Sequence, residues 1–515
     1  MFAFLNKKIT QLLLLLLLFS LSVFIRFPDL SSDLNRESEW QTGHVLTTLS
    51  IWENDGLSAH YFSPVWTFNT PADKFTNSLG GIKDKNNFTY YTSYPPFSFI
   101  LPYAVLKLCG VKVSVSAIRI FSLLIHLPCS LLVFLLVNLL WKNFIPSLLA
   151  FCVYLFSAGN LWFHGNFYFA DSLVQLFVLG TLLVFVVIVK SPEKNLRTKN
   201  SLLVLLTFFG IYTEWLALFV AIFVLLFLVW KLKTTKLYLR YVIGIICGIS
   251  LSLSLIIVQY SSIAGFTELK QHSLNKYSSR SGFIEQTALD GLSITEKNSF
   301  SEIYHNYIRH YNYPGLLVLL GMAFLIWRRF KNSSNTDWNT IAQYTLWILV
   351  LSVITHHLLF FNFTAIHDVS TLKTSLLFCL FLGYVSSIFN FIFSEQKSYL
   401  NSIIVLGLIV FIVFSANRYH QVNAGGNDIY HQEKVGKLIA EFSSPDEVVF
   451  TNIGVSPVMM WYAQRNPVTV KNEEEGRLLL QSMYPNKALF LKINPKDSTR
   501  FYELIRLSAE QKPKP

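Results

Sequence analysis

The feature that most constrains this chain is a succession of long apolar segments separated by short polar connections. A membrane-spanning helix needs about 20 predominantly apolar residues. Of the 515 residues, 52% are hydrophobic and only 14% are charged, whereas a soluble domain has about a quarter charged residues. We therefore predict an all-α, polytopic membrane protein with about eleven transmembrane helices. The predicted spans lie near residues 9–26, 117–140, 144–161, 171–190, 200–214, 216–231, 238–260, 314–330, 339–361, 370–394 and 401–416.

Basic residues indicate which ends of the spans face the cytoplasm. The run from Lys190 to Lys199 falls on one side of the predicted spans, together with the other basic clusters. The positive-inside rule makes that side cytoplasmic. The first polar stretch, the loop 261–313 and the tail from Arg418 onward then share the outer face. Because the basic residues stand at the ends of apolar segments, the net charge of +12 indicates membrane topology rather than nucleic-acid binding.

A polar stretch from Arg26 to Pro96 follows the first predicted span. It contains roughly seventy residues, and connections of this length are usually either functional or disordered. Its many tryptophan and tyrosine residues argue against disorder. The apolar segment from Tyr94 to Leu108 begins with two prolines and is short for a span, so we predict a surface helix there. The sequence therefore predicts an outer catalytic loop over residues 26–110 that contains surface helices.

The tail changes character after about residue 418. Short β-rich runs are followed by polar helical stretches, and this alternation indicates a small α/β domain with a parallel sheet. The predicted strands are Val448-Val449-Phe450, Val468-Thr469-Val470 and Ala488–Ile493, and the predicted helices are 432–442, 455–464, 473–483 and 497–508. We therefore divide the chain into a membrane-embedded catalytic domain, 1–417, and a soluble outer-face α/β domain, 418–515.

Glu37 and Glu39 are the candidate catalytic residues of the outer loop. A helix that begins near Arg36 would place Glu39 in its first turn, where a carboxylate suits the helix dipole, so a structural role is an equal alternative. The functional alternative is a general base, which must reach the proton that it removes. The adjacent Arg36 could keep such a carboxylate ionised or bind a phosphate. His44, in the same loop, is a further candidate for substrate binding.

Two further acidic residues stand at the ends of predicted spans. Asp171 opens a long apolar segment shortly after His164. It is either a helix N-cap or a second catalytic carboxylate directed into the same cavity as the outer loop, with His164 nearby as a substrate contact. Glu214 lies between two apolar segments, and a carboxylate deep in hydrocarbon is costly, so it should face the protein interior or an outer turn. We therefore assign Glu214 to the wall of the active site.

Histidines flank the outer end of the predicted span 339–361, as His356-His357 and His367-Asp368. Adjacent histidines on a helix point about 100° apart and rarely share a metal, and no His-x-x-x-His pattern is present. We therefore predict no metal and no other cofactor. His367 and Asp368 are assigned to substrate binding, near a phosphate. The aromatic and basic residues of the second large outer loop, 261–313, suit both interfacial anchors and ligands of a phosphosugar, and the sequence leaves both open.

The order of these motifs resembles the GT-C superfamily of integral-membrane glycosyltransferases, in particular the branch with protein O-mannosyltransferases and the bacterial lipid A aminoarabinose transferase. The matching segments are Ser38-Glu39, Tyr94-Pro95-Pro96-Phe97, Ala117-Ile118-Arg119, Phe169-Ala170-Asp171 and His367-Asp368. Because Ser38 replaces the first acid of the family's acidic motif, either Glu37 or Glu39 is the base. Tyr94 stands where the aminoarabinose transferase has a lysine; we assign Tyr94 to substrate binding, and the contact with the donor phosphate would come from Arg36, Arg119 or residues of 261–313.

The resemblance implies a multi-pass enzyme of the bacterial plasma or inner membrane. It would move one sugar from a polyprenyl-phosphate donor to a hydroxyl of a glycan, lipid or protein on the outer face, with inversion. The alternatives are a secondary transporter or lipid-linked-sugar flippase, and a non-catalytic assembly component. A transporter would place its polar groups at the middle of the membrane, whereas a transferase of this kind requires Glu39 or Glu37 to converge with Asp171 on one outer cavity.

Overall fold

The computed structural model describes residues 8–36, 38–75, 80–284, 292–311, 337–392, 397–424, 431–481, 487–494 and 501–508. The helices in chain order are α1 (Lys8–Arg26), α2 (Trp40–Asp55), α3 (Phe97–Leu108), α4 (Val115–Trp141), α5 (Phe144–Phe156), α6 (Ala158–Phe163), α7 (Ala170–Lys190), α8 (Leu196–Ile211), α9 (Leu216–Lys231), α10 (Tyr238–Ala264), α11 (Phe266–Ser281), α12 (297–311), α13 (Asp337–Leu359), α14 (Phe361–Ile366), α15 (Thr371–Ile392), α16 (Lys397–Ala424), α17 (Gln432–Phe442), α18 (Pro457–Ala463) and α19 (Glu473–Leu480). The strands are β1 (Ile82–Lys83), β2 (Thr89–Tyr90), β3 (Val448–Thr451), β4 (Val468–Thr469), β5 (Lys487–Ile493) and β6 (Tyr502–Ser508).

Within the described residues, seven helices are long and apolar enough to cross a membrane. They are Lys8–Asp29, Val115–Trp141, Ala170–Lys190, Tyr238–Ala264, Thr340–Leu359, Asp368–Ser387 and Val405–Val422. Every predicted span falls on a helix except 314–330, which lies outside the described residues. The predicted span 144–161 is interrupted at Ser157, where α5 ends and α6 begins. The chain is thus a mostly helical, multi-pass membrane protein.

The chain forms two compact units, and each is assembled from three separate segments. The first unit contains residues 1–30, 119–255 and 276–423, which include most of the long apolar helices. The second unit contains residues 31–118, 256–275 and 424–515. Most of the predicted outer loop 26–110, which we call the first outer loop, therefore belongs to one unit with the end of α10 and the C-terminal residues.

A four-stranded sheet of order β4-β3-β5-β6 forms the core of the C-terminal part of the second unit. Successive residues of β3 point to opposite faces, as the period of a strand requires. Val448 and Phe450 pack with Leu480 of α19 on one face, and Val449 packs with Ile439 of α17 on the other. Helices therefore cover both faces of the sheet, and this explains why β3 and β5 consist of nearly continuous apolar residues.

Two predictions about this sheet are wrong. Residues 502–508, predicted as part of a helix, form β6, which pairs antiparallel with β5. The sheet is consequently mixed, because β3 pairs in parallel with both β4 and β5. Ile505 and Leu507 alternate with more polar residues and pack on the same face of the sheet, and this period of two is typical of a strand. Residues 502–508 are few and are compatible with either a helix or a strand. Pairing with β5 therefore decided that they form a strand.

Candidate active site

Three buried titratable residues of the first unit gather around Lys373, in the first turn of α15. Lys373 Nζ donates a hydrogen bond to Asp171 Oδ1 and lies 3.7 Å from Glu214 Oε1. His356 Nε2 donates to the same Glu214 oxygen at 3.0 Å. All four side chains are buried, and we call them the ion network. The structure thus brings Asp171 and Glu214 together through a lysine that the sequence analysis did not single out.

The ion network lies at the ends of helices. Asp171 and Lys373 stand in the first turns of α7 and α15, and His356 stands in the last turn of α13. Glu214 lies in the connection between α8 and α9, where its Oε2 accepts the backbone N–H of Leu216 at 2.7 Å. Burial by itself would raise the pKa of Glu214, but the charge of Lys373 and the hydrogen bond from His356 lower it below its ordinary value. Glu214 is therefore ionised in the folded protein.

A second cationic group borders the ion network through a shared aromatic ring. Arg280 Cζ lies 5.3 Å from the centroid of the Phe363 ring, and Lys373 Nζ lies 5.6 Å from it. Arg280 Nη1 donates to His367 Nε2 at 2.7 Å. Burial and the neighbouring guanidinium lower the pKa of His367 to about 3. His367 is therefore a neutral acceptor for Arg280 at physiological pH.

Lys276 precedes Arg280 by one turn of α11, and we call these two residues the cation pair. Like charges at this spacing repel each other, and burial together with Arg280 lowers the pKa of Lys276. Within the described part of the chain, no carboxylate contacts either side chain; Arg280 contacts only His367 and Phe363. The cation pair is thus an excess of positive charge that an anion would stabilise.

The predicted motif His367-Asp368 contacts the predicted second large outer loop, 261–313. His310 Nε2 donates to Asp368 Oδ2 at 2.8 Å, and both side chains are buried. A glycine permits this packing, because a Cβ at Gly159 would lie 2.9 Å from His310 Cβ. With the contact between Arg280 and His367, the loop therefore supplies one partner to each member of the predicted motif. Neither His310 nor Arg280 is simply an interfacial anchor.

His164 belongs to a different buried cluster, around Arg26 at the end of α1. Arg26 Nη1 donates to His126 Nδ1 at 3.0 Å and to the carbonyl oxygen of His164 at 3.2 Å. The rings of His126 and His164 stack with 4.3 Å between their centroids. Burial and the charge of Arg26 lower the pKa of His164 to about 3. His164 is therefore neutral, and its observed partners are internal.

Arg119 has partners that compete with its predicted role on the donor phosphate. Its guanidinium is buried and donates to the carbonyl oxygens of Asp29 at 2.7 Å and Asn166 at 3.3 Å. The hydroxyl of Tyr419 lies 2.9 Å from Asp29 Oδ2 and 2.7 Å from Asn166 Oδ1. These contacts join the end of the first span to the connection that precedes α7. Arg119 thus stabilises this junction.

Glu39 of the second unit is the N-cap residue of α2, which begins at Trp40 rather than near Arg36. Its carboxylate is buried, and Oε2 accepts the backbone N–H groups of Asn35 and Arg36, each at 2.9 Å. Two such bonds fix the orientation of the carboxylate and order the preceding turn. Glu37, the alternative base, lies outside the described residues. Glu39 and Asp171 belong to different units, so their convergence stays a prediction.

His44 and Tyr94, both predicted to bind substrate, are buried among aromatic side chains in the second unit. Trp66 Nε1 donates to His44 Nε2, and the His44 ring lies edge-on to Tyr91, with 4.3 Å between centroids. Burial lowers the pKa of His44. Tyr94 stacks loosely on Tyr91, and its carbonyl oxygen accepts a hydrogen bond from the hydroxyl of Tyr260 at 2.5 Å. The observed partners of both residues are therefore those of a packed core.

The C-terminal part of the second unit holds the first outer loop through a buried clamp of Asp73, Arg465 and Asn466. Arg465 Nε lies 3.0 Å from Asp73 Oδ2, and both side chains are buried. Asn466 Nδ2 donates to the carbonyl oxygen of Trp66 at 2.8 Å, and its Oδ1 accepts the backbone N–H of Phe68 at 2.7 Å. The clamp therefore fixes the segment that follows α2, on which Glu39 lies.

Lys373 and Arg465 form buried ion pairs that were not predicted from the sequence. Lys373 could have been found, because a lone lysine at the start of a predicted span marks a functional or structural ion pair. Arg465 gave no comparable signal, since its partner Asp73 is distant in sequence.

Within the described residues, no group of three or more His, Cys, Asp or Glu side chains is arranged to hold a metal ion, and the absence of a metal stays a prediction.

Comparison with solved structures identifies the fold. No protein-family model and no curated protein sequence matches the chain. The structure is similar to that of ArnT from Cupriavidus metallidurans bound to undecaprenyl phosphate, with a TM-score of 0.60 and 10% identity over 96% of this chain and 99% of that chain. It is also similar to the oligosaccharyltransferase AglB from Archaeoglobus fulgidus in complex with an inhibitory peptide and a dolichol-phosphate, with a TM-score of 0.59 and 9% identity over 95% of this chain and 70% of that chain. ArnT, a lipid A aminoarabinose transferase, and AglB are both GT-C glycosyltransferases. The chain therefore has the GT-C fold along nearly its whole length.

Proposed function

We propose that this protein is a glycosyltransferase that moves a hexosyl or pentosyl group from a polyprenyl-phosphate donor to a hydroxyl of a glycan, lipid or protein on the outer face of the membrane. The observation that carries this proposal is the fold likeness over nearly the full length of ArnT, whose structure contains undecaprenyl phosphate. AglB, the second similar structure, contains dolichol-phosphate. Both lipids are polyprenyl phosphates, and the cation pair offers this chain a place for such a phosphate.

The cation pair supplies the donor contact in this proposal. Arg280 presents a guanidinium that has no carboxylate partner among the described residues and is held by a neutral histidine, His367. A phosphate that binds Arg280 and Lys276 would neutralise the repulsion between them. The same charges would stabilise the phosphate as it leaves the sugar. Arg280 thus takes the role that the sequence analysis left open between Arg36, Arg119 and the loop 261–313.

Glu39 is the proposed general base. The acceptor hydroxyl gives its proton to Glu39 Oε1 while its oxygen forms a bond to the anomeric carbon of the donor. The bond between that carbon and the phosphate oxygen breaks at the same time, and polyprenyl phosphate leaves with the electron pair. Because displacement is direct, the anomeric configuration inverts. Oε2 accepts the N–H groups of Asn35 and Arg36, which fixes the orientation of the carboxylate.

The position of the ion network argues against the rival transporter. A secondary transporter places its binding groups near the middle of the membrane, on interrupted helices. Here Asp171, Lys373 and His356 occupy terminal turns of their helices. These three residues thus stand at helix ends, as we would expect for a reaction on a lipid headgroup at the membrane surface.

Two variants with matched controls test the proposal. Mass spectrometry of surface glycans and lipids, from cells with and without the gene, first identifies the product. Glu39→Gln should abolish this product while Glu53→Gln, an exposed position on the same loop, should leave it unchanged. Full product formation by Glu39→Gln would move the base to Glu37, and Glu37→Gln would then have to be inactive.

Donor binding is measured separately, by native mass spectrometry of the purified full chain with undecaprenyl phosphate. Arg280→Gln should retain much less of the lipid than wild type. Arg477→Gln, which removes an exposed arginine paired with Glu473, should retain as much as wild type. If wild type and Arg280→Gln bind equally, the phosphate contact is not at the cation pair; if wild type binds none, the donor class is wrong.

A further inference from the structure

The turn that follows α2 has an unusual backbone. Tyr61 and Phe62 both have positive φ angles, 53° and 55°. Bulky side chains rarely adopt this left-handed region, because it strains the backbone. The turn therefore persists only because other contacts hold it.

A glutamine of the long apolar helix α10 holds the turn. The side-chain amide of Gln259 donates to the carbonyl oxygen of Tyr61 at 3.0 Å and to that of Phe62 at 2.6 Å. The next residue, Tyr260, donates to the carbonyl oxygen of Tyr94. Two consecutive residues of α10 thus attach the first outer loop to this helix, and the Phe62 side chain is left 50% exposed.

Gln259, which holds the turn, lies before the C-terminal end of α10. Gln259 stands five residues before Ala264, the last residue of the helix, which corresponds to about 8 Å along the axis. A helix of 27 residues is about 40 Å long, whereas the hydrocarbon core of a bilayer is about 30 Å thick. If α10 is centred in the bilayer, Gln259 lies near the edge of the hydrocarbon. The adjacent Val258 is 63% exposed, as a lipid-facing residue of a span would be.

We propose that the turn formed by Tyr61 and Phe62 is a lipid contact of the outer loop, and that the Phe62 ring enters the acyl chains of the outer-leaflet phospholipids. Phe62 belongs to a turn that is hydrogen-bonded to Gln259, the residue next to the exposed Val258, and an exposed aromatic ring is better solvated by acyl chains than by water. Gln259 satisfies both carbonyl groups, so the turn enters this region without unpaired backbone acceptors. The proposal depends on α10 crossing the membrane and not on sugar transfer, so it can fail or succeed independently of the proposed function.

Photocrosslinking of the full chain tests this contact. The photoreactive residue p-benzoylphenylalanine replaces Phe62, Val258 or Leu478 in three separate variants, each reconstituted in vesicles of phosphatidylethanolamine and phosphatidylglycerol. Leu478 is 63% exposed but lies on α19 beside the sheet, so it is the matched position away from lipid. We expect phospholipid adducts at positions 62 and 258 and none at 478. The proposal is overturned if the probe at position 62 forms no more phospholipid adduct than the probe at position 478. It is also overturned if the probe at position 258 forms no adduct.

The role of Gln259 gives a second measurement with the same probe. Gln259→Leu, combined with the probe at position 62, should reduce the phospholipid adduct because the turn loses both hydrogen bonds. Ser262→Ala, which removes an exposed hydroxyl from the same helix, should leave the adduct unchanged. An adduct that survives Gln259→Leu undiminished would overturn the assignment of Gln259 as the residue that holds the turn.

Discussion

At the scale of single residues, the buried charge of Lys373 contributes to the stability of the folded protein. It contacts the carboxylates of Asp171 and Glu214 while all three side chains are shielded from water. Removing one partner of a buried pair leaves an uncompensated charge, which costs about 3–5 kcal/mol. Lys373→Met should therefore lower the melting temperature of the purified protein strongly, because two carboxylates remain buried without their cation.

The control for Lys373 is Lys437, whose side chain is 50% exposed and forms ion pairs with Asp33 and Glu433. Lys437→Met should cost about 1 kcal/mol or less. Adding Asp171→Asn to Lys373→Met should restore part of the lost stability, because the second change removes one of the unpaired charges. Equal melting temperatures for Lys373→Met and Lys437→Met would contradict the ion network.

His164 makes stability depend on pH. Its pKa is about 3 in the folded protein, against about 6.5 for an unperturbed histidine. The unfolded chain therefore binds a proton below pH ~6.5 that the folded chain rejects, so the stability present above this pH is lost as the pH falls toward 3. His164→Gln should flatten the fall in melting temperature between pH 7.5 and 4.5. An unchanged slope would show that His164 is not a neutral buried group.

At the scale of secondary-structure elements, a glycine allows helices α2 and α18 to pack closely. A Cβ at Gly43 of α2 would lie 2.9 Å from the backbone nitrogen of Val458 in α18. Gly43→Ala should therefore force the helices apart and cost about 1–3 kcal/mol. In α16, a Cβ at Gly407 meets nothing within 4 Å, so Gly407→Ala should be neutral or stabilising by up to about 1 kcal/mol. Thermal unfolding of both variants measures the difference, and a stable Gly43→Ala would refute the packing of α2 on α18.

The clamp formed by Asp73, Arg465 and Asn466 operates at the scale of the whole molecule, because it joins segments almost four hundred residues apart in sequence. Arg465→Met would leave Asp73 buried without its cation, at a cost of about 3–5 kcal/mol. Lys492→Met breaks a pair with Glu503 in which both side chains are more than half exposed and should cost about 1 kcal/mol or less.

Limited proteolysis measures the effect of the clamp on the outer loop. In Arg465→Met, cleavage within residues 31–75 should become faster than in wild type, because Trp66 and Phe68 lose the segment that orders them. In Lys492→Met, the cleavage rate of this region should match wild type. If both variants resist cleavage equally, the C-terminal segment does not hold the outer loop.

The membrane class, the positions of the apolar helices and the order of the family-like motifs could be predicted from the residues alone. The membrane class and the helix positions depend on a local pattern, the length of an apolar segment, whereas the orientation inferred from the basic residues stays a prediction. The strands at 448–451 and 487–493 were also readable, since they are short apolar runs bounded by loops. Helix α2 was recognisable as well, although its start at Trp40 depended on how the preceding turn folds around Glu39.

Which charged residues contact each other could not be predicted, because it depends on how distant segments pack. Lys373 joins Asp171 and Glu214, and Arg465 joins Asp73, across separations along the chain that no local pattern encodes. The strand at 502–508 also depended on a partner, because β5 offered an edge to a segment that could otherwise be helical. Buried charges are stable only beside a compensating group, and the identity of that group depends on the packing of distant segments.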